Sequence, residues 1–298
     1  MFLVLGNATI DESMAVTDWP SPGQTVAVGP PARDLGGKGA NQAIVLARTG
    51  APVNLVAAIG RDAEGDWVAA AIVRAGLDTG GLLRVDEPTD RSLIFVAGDG
   101  ENAIASTTAA ARSIEPAMAR AALQGLGHGD GLLLQGNLTL DATKAALEAA
   151  RAQGVVTILN PSPMQAGFAG LLPLIDLLVL NEGEALQLGG AGEPGEIAEG
   201  LSRRSRGTVV LTLGGRGAVL RGVGIEDAIP GMPVTVLDTT GAGDTFTGVM
   251  IGGLHHRKLP LRAAVAAANR AAALTVQRKG TLEAFPSEAE IEAIFATA

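Results

Sequence analysis

The segment GGKGANQAIVLARTGAPVNLVAAIGRDAEGD, residues 36–66, shows the pattern from which the fold is predicted, because a helix-like stretch is followed directly by a strand-like run. The stretch GANQAIVLARTG ends in glycine, as helices commonly do, and VNLVAAIG has the length and composition of a buried strand. The alternation recurs: further strands are predicted in FLVLG, GLLLQG, VVTILNP, DLLVLNE and TVVLTLGG, and further helices in DWVAAAIVRAG, LDATKAALEAARAQG and EIAEGLSRRS. This order predicts an α/β fold whose mostly parallel sheet is flanked by helices on both faces.

Two regions, at about residues 11–35 and 82–108, interrupt this alternation. The first is rich in turn residues, and the second contains SLIFVAGDGENAIAST, which predicts a hairpin around Gly98–Gly100. Neither region has a helix-like stretch. We therefore expect both to form a small separate sheet beside the main core, within a single α/β domain that spans residues 1–298.

The composition limits the partners and the compartment of the protein. The chain has 298 residues, 47% of them hydrophobic, with a net charge of −9 and a pI of about 4.9. An acidic chain without a basic run does not suit nucleic acid or an anionic membrane, so neither is an expected partner. Cysteine is absent, which excludes disulfides and thiolate metal sites and fits a reducing compartment. We expect a cytoplasmic protein.

Two common phosphate-binding fingerprints do not apply to this chain. The pair Gly37–Lys38 is followed by Gly39 rather than by serine or threonine, so it is not a Walker A motif. A G-x-G-x-x-G pattern occurs at Gly190–Gly195, but it follows a helix-like stretch and contains a proline. We interpret it as a chance match, and a Rossmann dinucleotide site is not predicted.

The loop GGKGANQA, residues 36–43, opens a predicted helix. Glycines let the backbone approach a ligand closely, and the first N–H groups of a helix are free to bind one. Lys38 and Asn41 would add donors for hydroxyl groups. Taken alone, the stretch is better explained as an ordinary glycine-rich turn with a solvated lysine.

The stretch DTTGAGDTF, residues 238–246, is a second glycine-rich loop at the start of a predicted helix, and it indicates an anion site more strongly. Small residues at 241–243 let several N–H groups face an anion at the start of a helix, where the helix dipole favours negative charge. Asp244 would lie beside that anion and could accept a proton from an alcohol. The alternative is that Asp244 only caps the helix. The stretch by itself does not separate these two interpretations.

Together the two loops resemble the signature regions of the PfkB family of carbohydrate kinases, and of its ribokinase branch in particular. Ordered matches run along the whole chain: LGNATID, GGKGANQAIVLARTGAPVNLVAAIGRDAEGD, LIFVAGDGENAI, NPSP, LNEGEA, LTLGGRGA, DTTGAGDTFTG and QRKGT. The resemblance implies a ribokinase-like three-layer core with a β-sheet lid. It also implies ATP-dependent phosphorylation of a hydroxyl, the primary one, of a small sugar.

The resemblance assigns roles to individual residues. The base is Asp244, and the anion hole is formed by Gly241, Ala242 and Gly243. The residues that bind sugar hydroxyls are Asp11, Gly37, Lys38 and Asn41, with Thr9 and Asn137 at two further sugar contacts. The nucleotide residues are Asn181 near the phosphates, and Thr212, Gly214, Gly217 and Asn269. Glu184 organises Mg²⁺ through water.

A potassium site is also part of this resemblance. The matching positions are Asp238, Thr240, Thr275, Arg278 and Gly280, several of them through backbone carbonyls. Ala284 stands where ribokinases commonly have a hydroxyl, so the sequence leaves activation by K⁺ open. For Asn181 and Glu184, a helix N-cap followed by a first-turn carboxylate is an alternative that the residues themselves favour.

Two departures from the ribokinase pattern concern the sugar. Thr9 begins the Thr-Ile-Asp run where ribokinases carry Asn-x-Asp, and Asn137 lies near the position of a sugar-binding glutamate. Since a site that loses a carboxylate must lose or replace a hydroxyl partner, we expect an acceptor other than plain D-ribose.

Two rival functions remain at this level, and the lid implies a partner. A nucleoside kinase of the same fold needs an apolar or aromatic wall, but only 3% of residues are aromatic, and Phe2, Trp19 and Phe95 are the few candidates near the site. A non-catalytic sugar-binding protein would not need the base.

The lid of this family often joins two copies, so we expect a homodimer through it.

Overall fold

The computed structural model describes residues 1–19, 21–97, 102–205 and 207–298, which form two β-sheets and their flanking helices. The strands are β1 (Phe2–Asn7), β2 (Thr9–Val16), β3 (Ala32–Gly36), β4 (Val53–Gly60), β5 (Leu82–Val85), β6 (Arg91–Ala97), β7 (Asn102–Ser106), β8 (Gly131–Leu134), β9 (Val156–Leu159), β10 (Leu177–Asn181), β11 (Thr208–Thr212), β12 (Gly217–Gly222) and β13 (Ile225–Pro230). The helices are α1 (Lys38–Arg48), α2 (Ala63–Arg74), α3 (Ala109–Arg112), α4 (Pro116–Ala121), α5 (Leu140–Ala152), α6 (Glu182–Gly189), α7 (Pro194–Ser205), α8 (Ala242–Ile251), α9 (Leu261–Thr275) and α10 (Glu288–Phe295).

The large sheet has nine strands in the order β13-β12-β11-β10-β9-β8-β1-β4-β5. The strands from β11 to β5 are parallel, and only β12 and β13 at one edge pair antiparallel. Because parallel strands are buried on both faces, they appear in the sequence as continuous apolar runs rather than alternating ones. The predicted strands and their mostly parallel arrangement are confirmed.

Helices cover both faces of this sheet, which gives three layers. Successive residues of β1 point to opposite faces: Phe2 and Val4 pack with α1, α2, α8, α9 and α10, while Leu3 and Leu5 pack with helices α3 to α7. The glycine predicted to end α1 is Gly50, whose φ of 85° is a left-handed conformation that glycine adopts without strain. Within the described ranges, no helix is both long and apolar enough to cross a membrane.

The small sheet has the order β3-β2-β6-β7. Its central pair, β2 and β6, is parallel, and the two outer pairs are antiparallel. The predicted separate sheet is thus present, but its second part begins later than residue 82. Leu82–Val85 instead forms β5, which pairs with β4 at the edge of the large sheet. The pairing is parallel, so β5 extends the parallel order of that sheet. The predicted hairpin turn at Gly98–Gly100 lies outside the described residues, although β6 and β7 pair on either side of it.

The G-x-G-x-x-G match at Gly190–Gly195 connects α6 to the start of α7. It therefore follows a helix, as the sequence indicated, and not the strand that a dinucleotide fingerprint requires.

Candidate active site

Two helices, α1 and α8, begin at the two glycine loops. Gly37 precedes α1 with φ of 92°, and Gly241 precedes α8 with φ of 75°. A Cβ atom at Gly37 would lie 2.9 Å from the carbonyl oxygen of Asn7, and one at Gly241 would lie 2.6 Å from the ring of Phe285. Both positions therefore require glycine for conformation and for space.

Asp244 lies in the first turn of α8 and is 4% exposed. Its Oδ2 accepts a hydrogen bond from Nδ2 of Asn41 at 3.0 Å, and its Oδ1 accepts one from Nε2 of Gln42 at 2.9 Å. Nζ of Lys38 is 3.8 Å from Oδ1, so this lysine faces the carboxylate as well as solvent. The N-cap of α8 is Gly241, without a side-chain cap, so the capping alternative for Asp244 is wrong.

The first turn of α8 provides N–H groups that an anion can use. The first N–H groups of a helix have no acceptor within it, and the helix dipole makes this end positive. Ala242 bonds only weakly to the carbonyl of Thr239, at 3.3 Å. A Cβ at Gly243 would meet nothing within 4 Å, so its backbone borders open space. Small residues therefore leave this end of the helix accessible.

A cavity of about 340 Å³ lies against this end of α8. Four predicted nucleotide residues line it, together with two residues of the predicted anion hole: Thr212, Gly214, Gly217, Asn269, Ala242 and Gly243. The sequence analysis did not predict the apolar part of this lining, which is formed by Met232, Val234, Val236, Phe246 and Val276. An apolar cavity beside an anion site can hold a flat ring and its phosphates.

Asn181 and Glu184 form a reciprocal capping box at the start of α6. Oδ1 of Asn181 accepts from the N–H of Glu184 at 2.8 Å, and Oε2 of Glu184 accepts from the N–H of Asn181 at 2.9 Å. The helix-cap alternative thus describes their geometry. Glu184 is 7% exposed, and its second carboxylate oxygen lies outside the capping box. Within the described residues, no group of three or more His, Asp or Glu side chains could hold a metal ion.

Thr9 and Asp11 lie together on β2. Oγ1 of Thr9 donates to Oδ1 of Asp11 at 3.0 Å, and Asp11 is 8% exposed. Burial raises the pKa of Asp11 to about 6. Hydrogen bonds from the hydroxyl groups of Thr9 and Ser92 lower this pKa, and the nearby carboxylates of Asp34 and Asp244 raise it. A buried carboxylate that costs free energy in this way is typical of a functional position.

Three buried side-chain oxygens lack a hydrogen-bond partner among the described residues: Oδ1 of Asn41, Oε1 of Gln135 and Oδ1 of Asn137. Asn137 follows β8, and β8 pairs with β1, which leads to Thr9. Since an unpaired buried oxygen is costly, such atoms indicate where the hydroxyl groups of a ligand bind.

The predicted cation positions lie in two chain segments joined by hydrogen bonds. Asp238 accepts the N–H of Thr240 through Oδ1 at 2.9 Å and that of Gly280 through Oδ2 at 3.1 Å. The carbonyl of Thr275 accepts the N–H of Arg278 at 3.0 Å, and the guanidinium of Arg278 pairs with Glu290. The side chain of Arg278 is thus bound to Glu290 and does not point to the predicted cation.

A second cavity, of about 520 Å³, separates the small sheet from residues 237–240 and 279–283. Asp11, Ile94 and Val96 line it, and its described lining includes no aromatic side chain. Phe95 alternates with Ile94 and Val96 along β6 and so faces away. Phe2 packs against His255 in the core, and Trp19 is outside this lining, so none of the three aromatic candidates lines the cavity.

The sequence analysis missed a chain of buried amides behind Asp244. Nε2 of Gln42 also donates to Oδ1 of Asn160 at 2.9 Å, and Nε2 of Gln135 donates to Oε1 of Gln42 at 2.8 Å. Of these three amides, only Gln42 could have been noticed in the sequence, because it is a polar residue that directly follows Asn41 on the buried part of a helix.

Known proteins resemble this chain along nearly its whole length. The sequence model of the pfkB family carbohydrate kinases matches residues 1–288. A ribokinase of Haemophilus influenzae is 33% identical over 293 residues, which cover 96% of this chain and 95% of that protein. The solved ribokinase of Thermotoga maritima superposes with a TM-score of 0.89 at 28% identity, over 99% of both chains. That of Arabidopsis thaliana, complexed with ribose and ATP, gives 0.85 at 28% identity over 99% of this chain and 98% of the other.

The raised pKa of Asp11 predicts a pH-dependent gain in stability for Asp11→Asn. The folded state binds a proton more readily than the unfolded chain between pH 4 and 6, so stability falls as pH rises through this window. Removing the charge should raise the free energy of unfolding by up to about 3 kcal/mol above pH 6. The gain should vanish near pH 4. Urea unfolding at several pH values measures it.

Asp86→Asn is the matched control, because its side chain is 99% exposed. Its unfolding free energy should change by less than about 0.5 kcal/mol at every pH. An Asp11→Asn variant less stable than the wild type at pH 8 would contradict the assignment of a costly buried charge.

Proposed function

The chain belongs to the pfkB family of carbohydrate kinases, and we propose that it transfers the terminal phosphoryl group of ATP to a primary hydroxyl of a small sugar. Its fold is the ribokinase-like α/β fold. The observation that carries the proposal is the Asp244 carboxylate, whose two oxygens accept N–H groups of α1 beside the open N-terminus of α8.

In the proposed reaction, the sugar hydroxyl oxygen attacks the terminal phosphorus and its proton passes to Asp244. The bond between that phosphorus and the bridging oxygen breaks, and ADP leaves with the bridging oxygen. The N–H groups of residues 241–243 donate to the phosphoryl oxygens as charge develops on them. The cavity beside Ala242 and Gly243 supports this arrangement, because a nucleotide bound there would bring its phosphates against this end of the helix.

The cations follow from the same arrangement. Mg²⁺ keeps water ligands and binds substrate phosphates, so it needs few protein ligands. The oxygen of Glu184 outside the capping box fits a contact through water, and Asn181 lies beside it. Potassium stays a prediction, supported by the bonded segments 237–240 and 275–280.

The acceptor site favours a sugar over a nucleoside. The unpaired oxygens of Asn41 and Asn137 accept from hydroxyl donors, and sugars are rich in these. A nucleoside base would need a stacking wall, and the described lining of the cavity of about 520 Å³, which includes Asp11 but none of the other predicted sugar-binding residues, has no aromatic residue.

Asp244→Ala tests the base. We expect kcat to fall by about 10²–10⁴-fold, because the variant lacks the carboxylate that accepts the hydroxyl proton in the proposed reaction. The dissociation constant for ATP should change little. A coupled assay of ADP release over a sugar panel and calorimetric titration with ATP measure both quantities.

The control for this variant is Asp141→Ala, which removes an exposed first-turn carboxylate from α5. Its turnover should equal that of the wild type. Near-normal turnover in Asp244→Ala would sink the proposed mechanism, and no ADP release with any sugar would favour a non-catalytic protein.

Thr9 and Asn137 predict that D-ribose is not the best acceptor. Across pentoses, hexoses, keto-acid sugars and nucleosides, we expect kcat/KM to be highest for a compound other than ribose. The combined variant Thr9→Asn/Asn137→Glu should raise kcat/KM for ribose by at least about tenfold, since it restores a charged partner for a hydroxyl. Thr139→Asn, which keeps the N-cap of α5, is the control. Ribose as the best acceptor of the wild type would refute this prediction.

We also propose a homodimer through the small sheet. Leu93 on β6 is an exposed apolar side chain, at 39%, on the face of the small sheet that points away from the second cavity, and a second copy would cover it. Sedimentation at micromolar concentration should show a dimer that Leu93→Lys dissociates, whereas a monomeric wild type would contradict the proposal.

A further inference from the structure

Gln42 is a fully buried amide of α1 that touches the carboxylate of Asp244. We propose that Gln42 is a positioning residue, which fixes the orientation of the Asp244 carboxylate for proton transfer. The proposal rests on the function proposed above, in which Asp244 is the base. Gln42 itself has no exposed surface and lines neither cavity, so it acts only through its neighbour.

The direction of the amide chain is set by two groups that can only accept. Nδ2 of Asn160 donates to the carbonyl of Val179 at 2.9 Å, which turns Oδ1 of Asn160 towards Gln42. Nε2 of Gln42 then uses its two hydrogens for Asn160 and for Asp244. Its Oε1 accepts from Gln135. Reversing the amide of Gln42 would set oxygen against oxygen at two contacts, so only one orientation satisfies the network.

This network presents an N–H to Oδ1 of Asp244, so that this oxygen is held as a hydrogen-bond acceptor. Asn41 does the same for Oδ2. A carboxylate held at both oxygens cannot rotate, which keeps its lone pairs in one direction. A proton acceptor must be both charged and aligned before the hydroxyl arrives, so the two amides serve the same step.

The two amides differ in what else they touch. Asn41 has an unpaired Oδ1 and thus a contact to offer the sugar, whereas every polar atom of Gln42 is bonded inside the protein. Loss of Asn41 should therefore change both KM and kcat. Loss of Gln42 should change kcat and the pH profile, and leave the KM values for sugar and ATP nearly unchanged.

Two variants of nearly equal size test this assignment. In Gln42→Met the N–H donor is lost, and we expect kcat to fall by about 10²-fold, the effect of a small misalignment in an active site. In Gln42→Glu a second carboxyl group faces Asp244, and the acidic limb of the kcat profile should move to higher pH by about one unit or more. The charged groups that already face Asp244, Lys38 on α1 and Asp11 on β2, are present in both variants.

Thr49→Val is the control for damage to α1, since this buried hydroxyl caps the other end of the helix by donating to Leu46. Its kcat and pH profile should match the wild type. Urea unfolding of each variant separates a loss of fold from a loss of alignment. Gln42→Glu, which keeps the shape of the side chain, remains informative if Gln42→Met is unstable.

A shifted acidic limb with unchanged KM values supports the positioning role. A loss of kcat without a shift in either variant, or a parallel rise in KM for the sugar, would overturn it. Normal activity of both variants would overturn it too, and leave the proposed function intact as long as Asp244→Ala is inactive. An active Asp244→Ala would overturn both.

Discussion

The close packing of α8 on α1 is the contact on which the site depends. Gly248 allows it, because a Cβ there would lie 2.7 Å from Cγ1 of Val45. One turn later, a Cβ at Gly252 would lie 2.3 Å from Oγ1 of Thr49. Because glycines leave this face of α8 without side chains, the backbones of α1 and α8 approach closely enough for amide side chains on α1 to reach Asp244. A larger residue at either glycine would separate the base from the groups that hold it.

This contact joins distant parts of the chain. The hydrogen bonds from Asn41 and Gln42 to Asp244 connect residues 203 and 202 positions apart. They form only when α1 and α8 both lie on the same face of the completed sheet. The apolar layers on both faces therefore have to offset the burial of Asp11 and Asp244, which is unfavourable by itself. Charge is buried where the chemistry needs it, at the expense of stability.

The sequence predicted the parts of the structure that depend on local patterns. Strands, helices and the two glycine loops follow from apolar runs, C-terminal glycines and the φ values that only glycine adopts readily. The amide chain behind Asp244 could not be predicted, because Gln42, Gln135 and Asn160 come from three separate segments and meet only through strand order. The edge strand Leu82–Val85 was misplaced for the same reason: its partner is set by the sheet, and its own residues are only half-buried.

The residues proposed for phosphoryl transfer lie at the N-terminus of α8, whereas the residues proposed to choose the sugar lie on other elements. Ala242 and Gly243 border the cavity that we propose for the nucleotide, while the carboxylate of Asp244 is hydrogen-bonded to α1. The hydroxyl and the phosphoryl group would therefore meet across a single helical turn, whose geometry the packing of α1 fixes. Thr9 and Asn137 belong to other elements, since Thr9 begins β2 and Asn137 follows β8. Under the proposed function, changes there would alter which hydroxyls find a partner without moving Asp244, so one arrangement of the base would serve different sugars.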